Sequence, residues 1–143
     1  MRFFSISLAL SFLAAFQAQA KDLSVDHAEM MKAGTALFQK SIRPALMDHC
    51  VKCHGDGKVR SGLDLSSRQL LLQGGDSGSS IDLANPDDSF LLALIRHEEE
   101  PTMPPKKDQL PDALIEDFRR WISLGAPYDK PLIEKAGDEP TEM

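Results

Sequence analysis

The chain has 143 residues, a formal net charge of -6 at pH 7 and a hydrophobic content of 42%. This length suits a single domain, and the acidic balance argues against nucleic acid as a partner, because phosphate backbones attract basic proteins. Aromatic residues make up only 6% of the chain, so its own side chains provide few large apolar groups for a core.

Residues 1–20 have the composition of an export signal peptide. Arg2 gives a positive start, an apolar run from Phe3 to Phe16 is interrupted only by serines, and Ala18-Gln19-Ala20 is a small-residue cleavage site. The run is short for a membrane span, so we expect cleavage, a periplasmic or otherwise exported protein, and no stable membrane insertion afterwards. Cleavage removes one positive charge and no acid, which leaves a formal charge of about -7.

Helical periodicity begins at Asp26. Asp26 and Glu29 fit an acidic capping box, and apolar residues recur behind them at helical spacing to about Lys40. Pro44 is expected to break or kink this helix. A second helical segment, residues 45–53, then leads into the motif that follows.

Cys50-Val51-Lys52-Cys53-His54 is the motif around which the chain is organised. Two thiols three residues apart, with an imidazole directly after the second, are the attachment signature of a c-type haem. On a helical turn, Cys50, Cys53 and His54 share one face and can reach one flat macrocycle. The alternatives are a thiol redox pair or part of a zinc site, although a structural zinc site needs four ligands and the chain has only two cysteines.

The motif is followed by a polar, glycine-punctuated loop over residues 55–64. A capping box formed by Ser66 and Gln69 then predicts a short helix over residues 67–73. Gly74-Gly75 ends it, because glycine accepts the left-handed conformation that terminates helices.

Two later helices are predicted. Asn85-Pro86 begins one that ends near His97, and Pro111 begins one that runs to Leu124. The last helix carries an apolar stripe: Leu114, Ile115, Phe118, Trp121 and Ile122. No strand pattern of useful length appears, so the domain is predicted to be all-α, with a flexible tail over residues 129–143.

The residue that fills the sixth coordination position of a haem iron decides its function. The candidate is Met103, because a soft thioether favours Fe(II) and raises the reduction potential, which suits electron transfer. Pro104 and Pro105 stiffen the loop that presents it. His97 is one alternative and would give bis-histidine ligation at a lower potential, and an open or water-bound position is the other.

Together the motifs resemble a class I cytochrome c domain, and more narrowly a planctomycete-type cytochrome c domain. The narrower resemblance is carried, beside the haem motif and the Met103 loop, by these segments: Arg43-Pro44-Ala45-Leu46, Ser61-Gly62-Leu63-Asp64-Leu65, Leu72-Gln73-Gly74-Gly75-Asp76-Ser77-Gly78 and Asn85-Pro86-Asp87-Asp88-Ser89-Phe90-Leu91-Leu92. It covers residues 33–128, within a cytochrome c domain predicted over residues 21–128.

The resemblance implies the class I fold, in which several short helices wrap around one covalently attached haem. It also implies that the first and last helices cross, with Gly34 and Phe38 against Phe118 and Trp121. A glycine at such a crossing allows close backbone approach, and the aromatic rings fill the space beside it.

The resemblance further implies one haem c, with thioethers to Cys50 and Cys53, His54 as the proximal ligand and Met103 as the distal ligand. The expected function is that of a monohaem electron carrier rather than an enzyme, docking in turn with a donor and an acceptor protein. Because the chain stops soon after this domain, a freestanding carrier or an electron-transfer subunit of a larger oxidoreductase assembly is expected. The alternative is a haem enzyme or sensor with an open or bis-histidine (His97) sixth site.

Charged residues near the expected haem complete the sequence-based picture. Five basic residues flank the motif and the Met103 loop and would make a locally positive face, or else an ordinary solvated surface: Lys52, Lys58, Arg60, Lys106 and Lys107. Arg68, beside the glycine loop, is a candidate partner for the haem propionates.

Overall fold

The computed structural model describes residues 26–55 and 57–133, so the predicted export signal lies outside the described residues. The elements in chain order are α1 (26–37), a π-helical turn (Phe38–Ile42), α2 (Arg43–His49), β1 (His54–Gly55), β2 (Lys58–Val59), a 3₁₀ turn (Arg60–Gly62), α3 (Arg68–Gln73), a second 3₁₀ turn (Pro86–Asp88), α4 (Phe90–Ile95) and α5 (Asp112–Ser123). The protein is mostly helical, as predicted. The short antiparallel pair β1–β2, with His54 opposite Val59, departs from a purely all-α domain.

The first helical segment does not end near Lys40, because the chain stays helical from residue 26 to His49. At the π-helical turn the N–H of Arg43 donates to the carbonyl of Phe38, five residues earlier. This wider turn accommodates Pro44, which has no N–H and whose ring crowds the carbonyl four residues before it in a regular α-helix. The proline therefore changes the local helix type instead of ending the helix.

The core lies where α1 and the π-helical turn cross α5. The ring centroid of Phe38 lies 6.0 Å from that of Trp121 and 4.3 Å from that of Tyr128. Gly34 makes a close approach as well, but to the segment just beyond α5 and not to Phe118 or Trp121, because a β-carbon there would lie 2.6 Å from Cγ of Pro127. The indole N–H of Trp121 donates to the Pro127 carbonyl at 2.9 Å, so the polar atom of this buried ring is satisfied.

The last helix follows its prediction closely, with Pro111 before its first residue and Leu124 after its last. Its buried stripe is confirmed for Ile115, Phe118, Trp121 and Ile122. Beyond it, residues 129–133 were expected to begin a flexible tail, but they pack on the domain. The Leu132 N–H donates to the Ser66 carbonyl at 2.7 Å. Residues 134–143 of the predicted tail lie outside the described residues.

The start of α3 differs from the predicted capping box by one residue. Ser67, not Ser66, caps the helix, and its hydroxyl accepts the N–H of Leu70 at 3.3 Å. Ser66 is buried, and its N–H donates to the Asp64 carboxylate at 2.8 Å, which closes an Asx turn before the helix. Gly74 ends α3 with φ of +75°, as predicted.

The helix predicted to begin at Asn85 is interrupted. A 3₁₀ turn over Pro86–Asp88 is followed by Ser89 in an extended conformation, and only then does α4 begin. The buried Ser89 hydroxyl accepts the N–H of Asp82 at 3.0 Å, which ties the break to the preceding loop. Nowhere in residues 26–55 and 57–133 is a helix both long and apolar enough to traverse a bilayer.

Candidate functional site

A cavity of about 350 Å³ lies between the end of α2, one face of α4 and the loops that follow β2, α3 and α4. Most of its wall is apolar, and the following side chains contribute to it: Leu63, Leu65, Phe90, Leu91, Leu94 and Ile95. Such a wall suits a large, mostly apolar group better than a solvated ion. Small polar residues, among them Ser61, Ser77 and Ser80, line another part of the wall.

Cys50, Cys53 and His54 all line this cavity. They occupy a hydrogen-bonded turn rather than a regular helix, since α2 ends at His49 and His54 begins β1. The N–H groups of Cys53 and His54 both donate to the carbonyl of Cys50 at 3.0 Å. The turn therefore gives the proximity expected from helical spacing, with a different local structure.

The ring of His54 is oriented by a backbone group. Its Nδ1 lies 3.3 Å from the carbonyl oxygen of Leu63. A carbonyl can only accept, so this contact requires a proton on Nδ1 and leaves Nε2 as the ring nitrogen that could bind a metal ion. The backbone of His54 is held as well, because its carbonyl accepts the N–H of Leu65 at 2.7 Å.

The environment of Cys50 differs from that of a redox-active cysteine. Burial, with a smaller contribution from Cys53, raises the pKa of the Cys50 thiol to about 12. Redox-active cysteines depend on a lowered pKa, because the thiolate is the reactive form. Among the residues that the structure describes, no three His, Cys, Asp or Glu side chains are arranged to hold a metal ion.

Met103 lines the same cavity as the three motif residues and packs partly buried against the core. Its N–H donates to the carbonyl of Leu94 in α4 at 3.0 Å. The peptide bonds Met103–Pro104 and Glu100–Pro101 are both cis. The structure thus brings the predicted distal ligand to the cavity that contains the predicted haem motif.

Residues 50–107 match the family model described as Planctomycete cytochrome C. This segment contains the Cys50–His54 turn, α4 and Met103, together with most of the other residues that line the cavity. The match supports a planctomycete-type cytochrome c domain. A cytochrome c domain implies a covalent haem c and favours an electron carrier over an enzyme. Comparisons with curated proteins and with solved structures gave no match.

His97 occupies a different place in the structure from the one expected of a sixth ligand. It is not among the described residues that line the cavity. Its Nε2 lies 3.2 Å from the carbonyl oxygen of Met103, and Nε2 must be the donor because the carbonyl can only accept. From the sequence, His97 and Met103 were alternative candidates for the sixth ligand, and this contact between them was not predicted.

Arg68 is not among the described residues that line the cavity either. Its Nε and Nη2 donate to the carbonyl of Gly125 at 3.2 and 2.9 Å, so this guanidinium binds the chain just beyond α5. The interpretation of Arg68 as a propionate partner is therefore not supported. Of the five basic residues expected near the haem, Arg60 lines the cavity, and all five are exposed.

Proposed function

We propose that this protein is a monohaem c-type cytochrome of class I fold that transfers electrons in the periplasm. The observation that carries the proposal is that Cys50, Cys53, His54 and Met103 line one mostly apolar cavity. The first three come from one turn and the fourth from a distant loop, so the fold itself gathers the side chains that haem attachment and axial ligation require.

Each of the four side chains has a distinct task in this proposal. Cys50 and Cys53 would hold the haem through thioether bonds, while His54 and Met103 would be the two axial ligands of the iron. When bound, haem c supplies a one-electron couple between Fe(III) and Fe(II). No catalytic residue is proposed, because electron transfer requires no proton transfer or nucleophile from the chain.

The residues around the cavity favour the reduced state and limit rearrangement. The soft thioether of Met103 would favour Fe(II), and the apolar side chains of α4 that line the cavity would limit solvation of the additional charge of Fe(III). The Leu63 carbonyl fixes the ring of His54, and the Leu94 carbonyl fixes the backbone of Met103. Ligands held in this way move little when the oxidation state changes.

The partners are proposed to be an electron donor protein and an electron acceptor protein that dock in turn. Docking is proposed near the Cys50–His54 turn, where Lys52 is exposed and Arg60 lies at the cavity. Export before haem attachment would follow from the signal predicted over residues 1–20. An electron-transfer subunit of a larger assembly would use the same site.

The test is spectroscopy of protein matured in a host that attaches haem c. We expect a reversible one-electron redox titration and, in the oxidised protein, the weak near-infrared band of methionine sulfur bound to iron. Met103→Leu should abolish the band, whereas Met47→Leu, at a side chain 45% exposed, should retain it. A high-spin resting spectrum with rapid binding of external ligands would contradict the proposal and indicate a haem enzyme or sensor.

A further inference from the structure

The chain leaves α4 through a left-handed residue that is not glycine. His97 has φ of +57°, its N–H donates to the Leu94 carbonyl at 3.2 Å, and the N–H of Glu98 donates to the Ala93 carbonyl at 2.9 Å. This pair of bonds is the Schellman motif, in which the left-handed position is usually glycine because a β-carbon crowds the backbone there. Histidine is therefore a poor choice for the turn itself.

The side chain of His97 supplies a contact that glycine lacks. Its Nε2 donates to the carbonyl of Met103 at 3.2 Å, while the N–H of Met103 donates to the carbonyl of Leu94 at 3.0 Å. Both backbone polar groups of Met103 are thus bound to the carboxyl end of α4. Because Leu94 and Ile95 of the same helix line the cavity, Met103 is held relative to the cavity wall at two points.

We propose that His97 is a positioning residue for the distal ligand and does not itself bind iron. By holding the Met103 carbonyl, it keeps the thioether directed to the haem and limits opening of the loop, where Pro105 and Lys106 are exposed. The inference rests on the proposed function, because it assigns His97 a task only if Met103 binds the iron. In this proposal, His97 supports Met103 as the ligand and does not compete with it for the iron.

The test measures the binding of imidazole to the ferric haem protein, where it displaces Met103. His97→Gly keeps a residue suited to φ of +57° but removes the donor, and His97→Gln restores a side-chain N–H of similar reach. Lys106→Gly is the matched control, because Lys106 has φ of +60° in the same loop and is an exposed residue that is not among those lining the cavity.

We expect His97→Gly to bind imidazole roughly fivefold to tenfold more tightly, the loss expected of about one hydrogen bond, and to lose near-infrared band intensity. His97→Gln should lie close to wild type, and Lys106→Gly should be unchanged. Urea unfolding serves as a check, since glycine relieves the left-handed backbone strain at this position and so offsets the lost hydrogen bond, which should leave the unfolding midpoint close to that of wild type.

Unchanged imidazole affinity and a full near-infrared band in His97→Gly would overturn the positioning role while leaving the proposed function intact. A second result would also overturn the positioning role. If wild type lacks the methionine band and His97→Gly loses low-spin ligation, His97 is itself the ligand. A colourless wild-type protein would overturn the proposed function as well, and is seen before any variant is made.

Discussion

The helix crossing and the cavity wall of this protein are built by different means. At the crossing, Phe38 and Trp121 are fully buried and in ring contact, so burial of apolar surface stabilises the packing. Part of the cavity wall is made of short segments held by single hydrogen bonds, such as the one at the left-handed residue Ser61, whose carbonyl accepts the N–H of Asp76. Substitutions at the crossing should therefore change the free energy of unfolding, whereas substitutions at the wall should change the properties of the haem.

The largest effect is expected from Trp121→Ala at the helix crossing. The indole is 0% exposed and its N–H binds the Pro127 carbonyl, so truncation leaves a cavity and an unpaired acceptor. We expect the free energy of unfolding in urea to fall by about 3–5 kcal/mol. Arg120→Ala, on the exposed face of the same helix, should change it by less than about 0.5 kcal/mol. Equal effects of the two changes would refute the assignment of this core.

Arg68→Ala should change the stability of the fold but not the properties of the haem. Arg68 lies near the site in sequence, but its guanidinium donates to the Gly125 carbonyl. Loss of two charge-assisted hydrogen bonds should lower the free energy of unfolding by about 2 kcal/mol. Arg68→Lys should recover only part of this, because an ammonium group does not reproduce the two-nitrogen geometry. The reduction potential should not change. A shift in the reduction potential with an unchanged free energy of unfolding would indicate instead that Arg68 is a partner of the haem propionates.

Gly34→Ala tests how closely α1 approaches the segment that follows α5. A β-carbon there would lie 2.6 Å from Cγ of Pro127 and 3.0 Å from Cβ of Leu124, so α1 and this segment would have to move apart. The overpacking penalty of about 1–3 kcal/mol exceeds the roughly 1 kcal/mol that alanine gains over glycine within a helix. We expect a net loss of about 1 kcal/mol in thermal or urea unfolding. A more stable variant would show that the close approach is not required.

Asp129→Asn should give the smallest effect, and one that depends on pH. A hydrogen bond from the Gln39 amide, with smaller contributions from the Lys130 N–H and from Arg43, lowers the pKa of the Asp129 carboxyl. A lowered pKa in the folded state stabilises the fold above the unfolded-state pKa, and this contribution disappears as the pH falls through the folded-state value.

The difference between Asp129→Asn and wild type in urea unfolding should thus be about 0.5 kcal/mol near pH 7 and should narrow below about pH 4, because an exposed ion pair contributes little. Lys40→Ala on the same exposed surface should show no such pH dependence. A difference that grows towards low pH would contradict the assigned direction of the pKa shift.

How far the sequence predicts the structure differs between the two regions as well. The buried stripe of α5 follows from apolar periodicity, because one helix face meets one core. The π-helical turn before Pro44 and the extended Ser89 depend on packing against other segments, which no local pattern encodes. Ser66 and Ser67 are equally good caps by composition, and only the Asx turn at Asp64 selects between them.

For the candidate site, the sequence predicts which side chains gather but not how they are supported. The spacing of Cys50, Cys53 and His54 and the softness of Met103 led to four residues that line one cavity. Their roles at the iron stay predictions. The contact between His97 and Met103 was not foreseeable, because it arises from a left-handed turn that sequence reasoning assigns to glycine.

The most direct test of the central claim is the intact mass of the protein after maturation by a c-type haem attachment system. The account predicts the polypeptide mass plus one haem, retained after unfolding and organic extraction. Exchange of both Cys50 and Cys53 for serine should remove the added mass of the haem. Wild-type protein with the polypeptide mass alone, or with haem that extracts freely, would contradict covalent attachment and with it the proposed function.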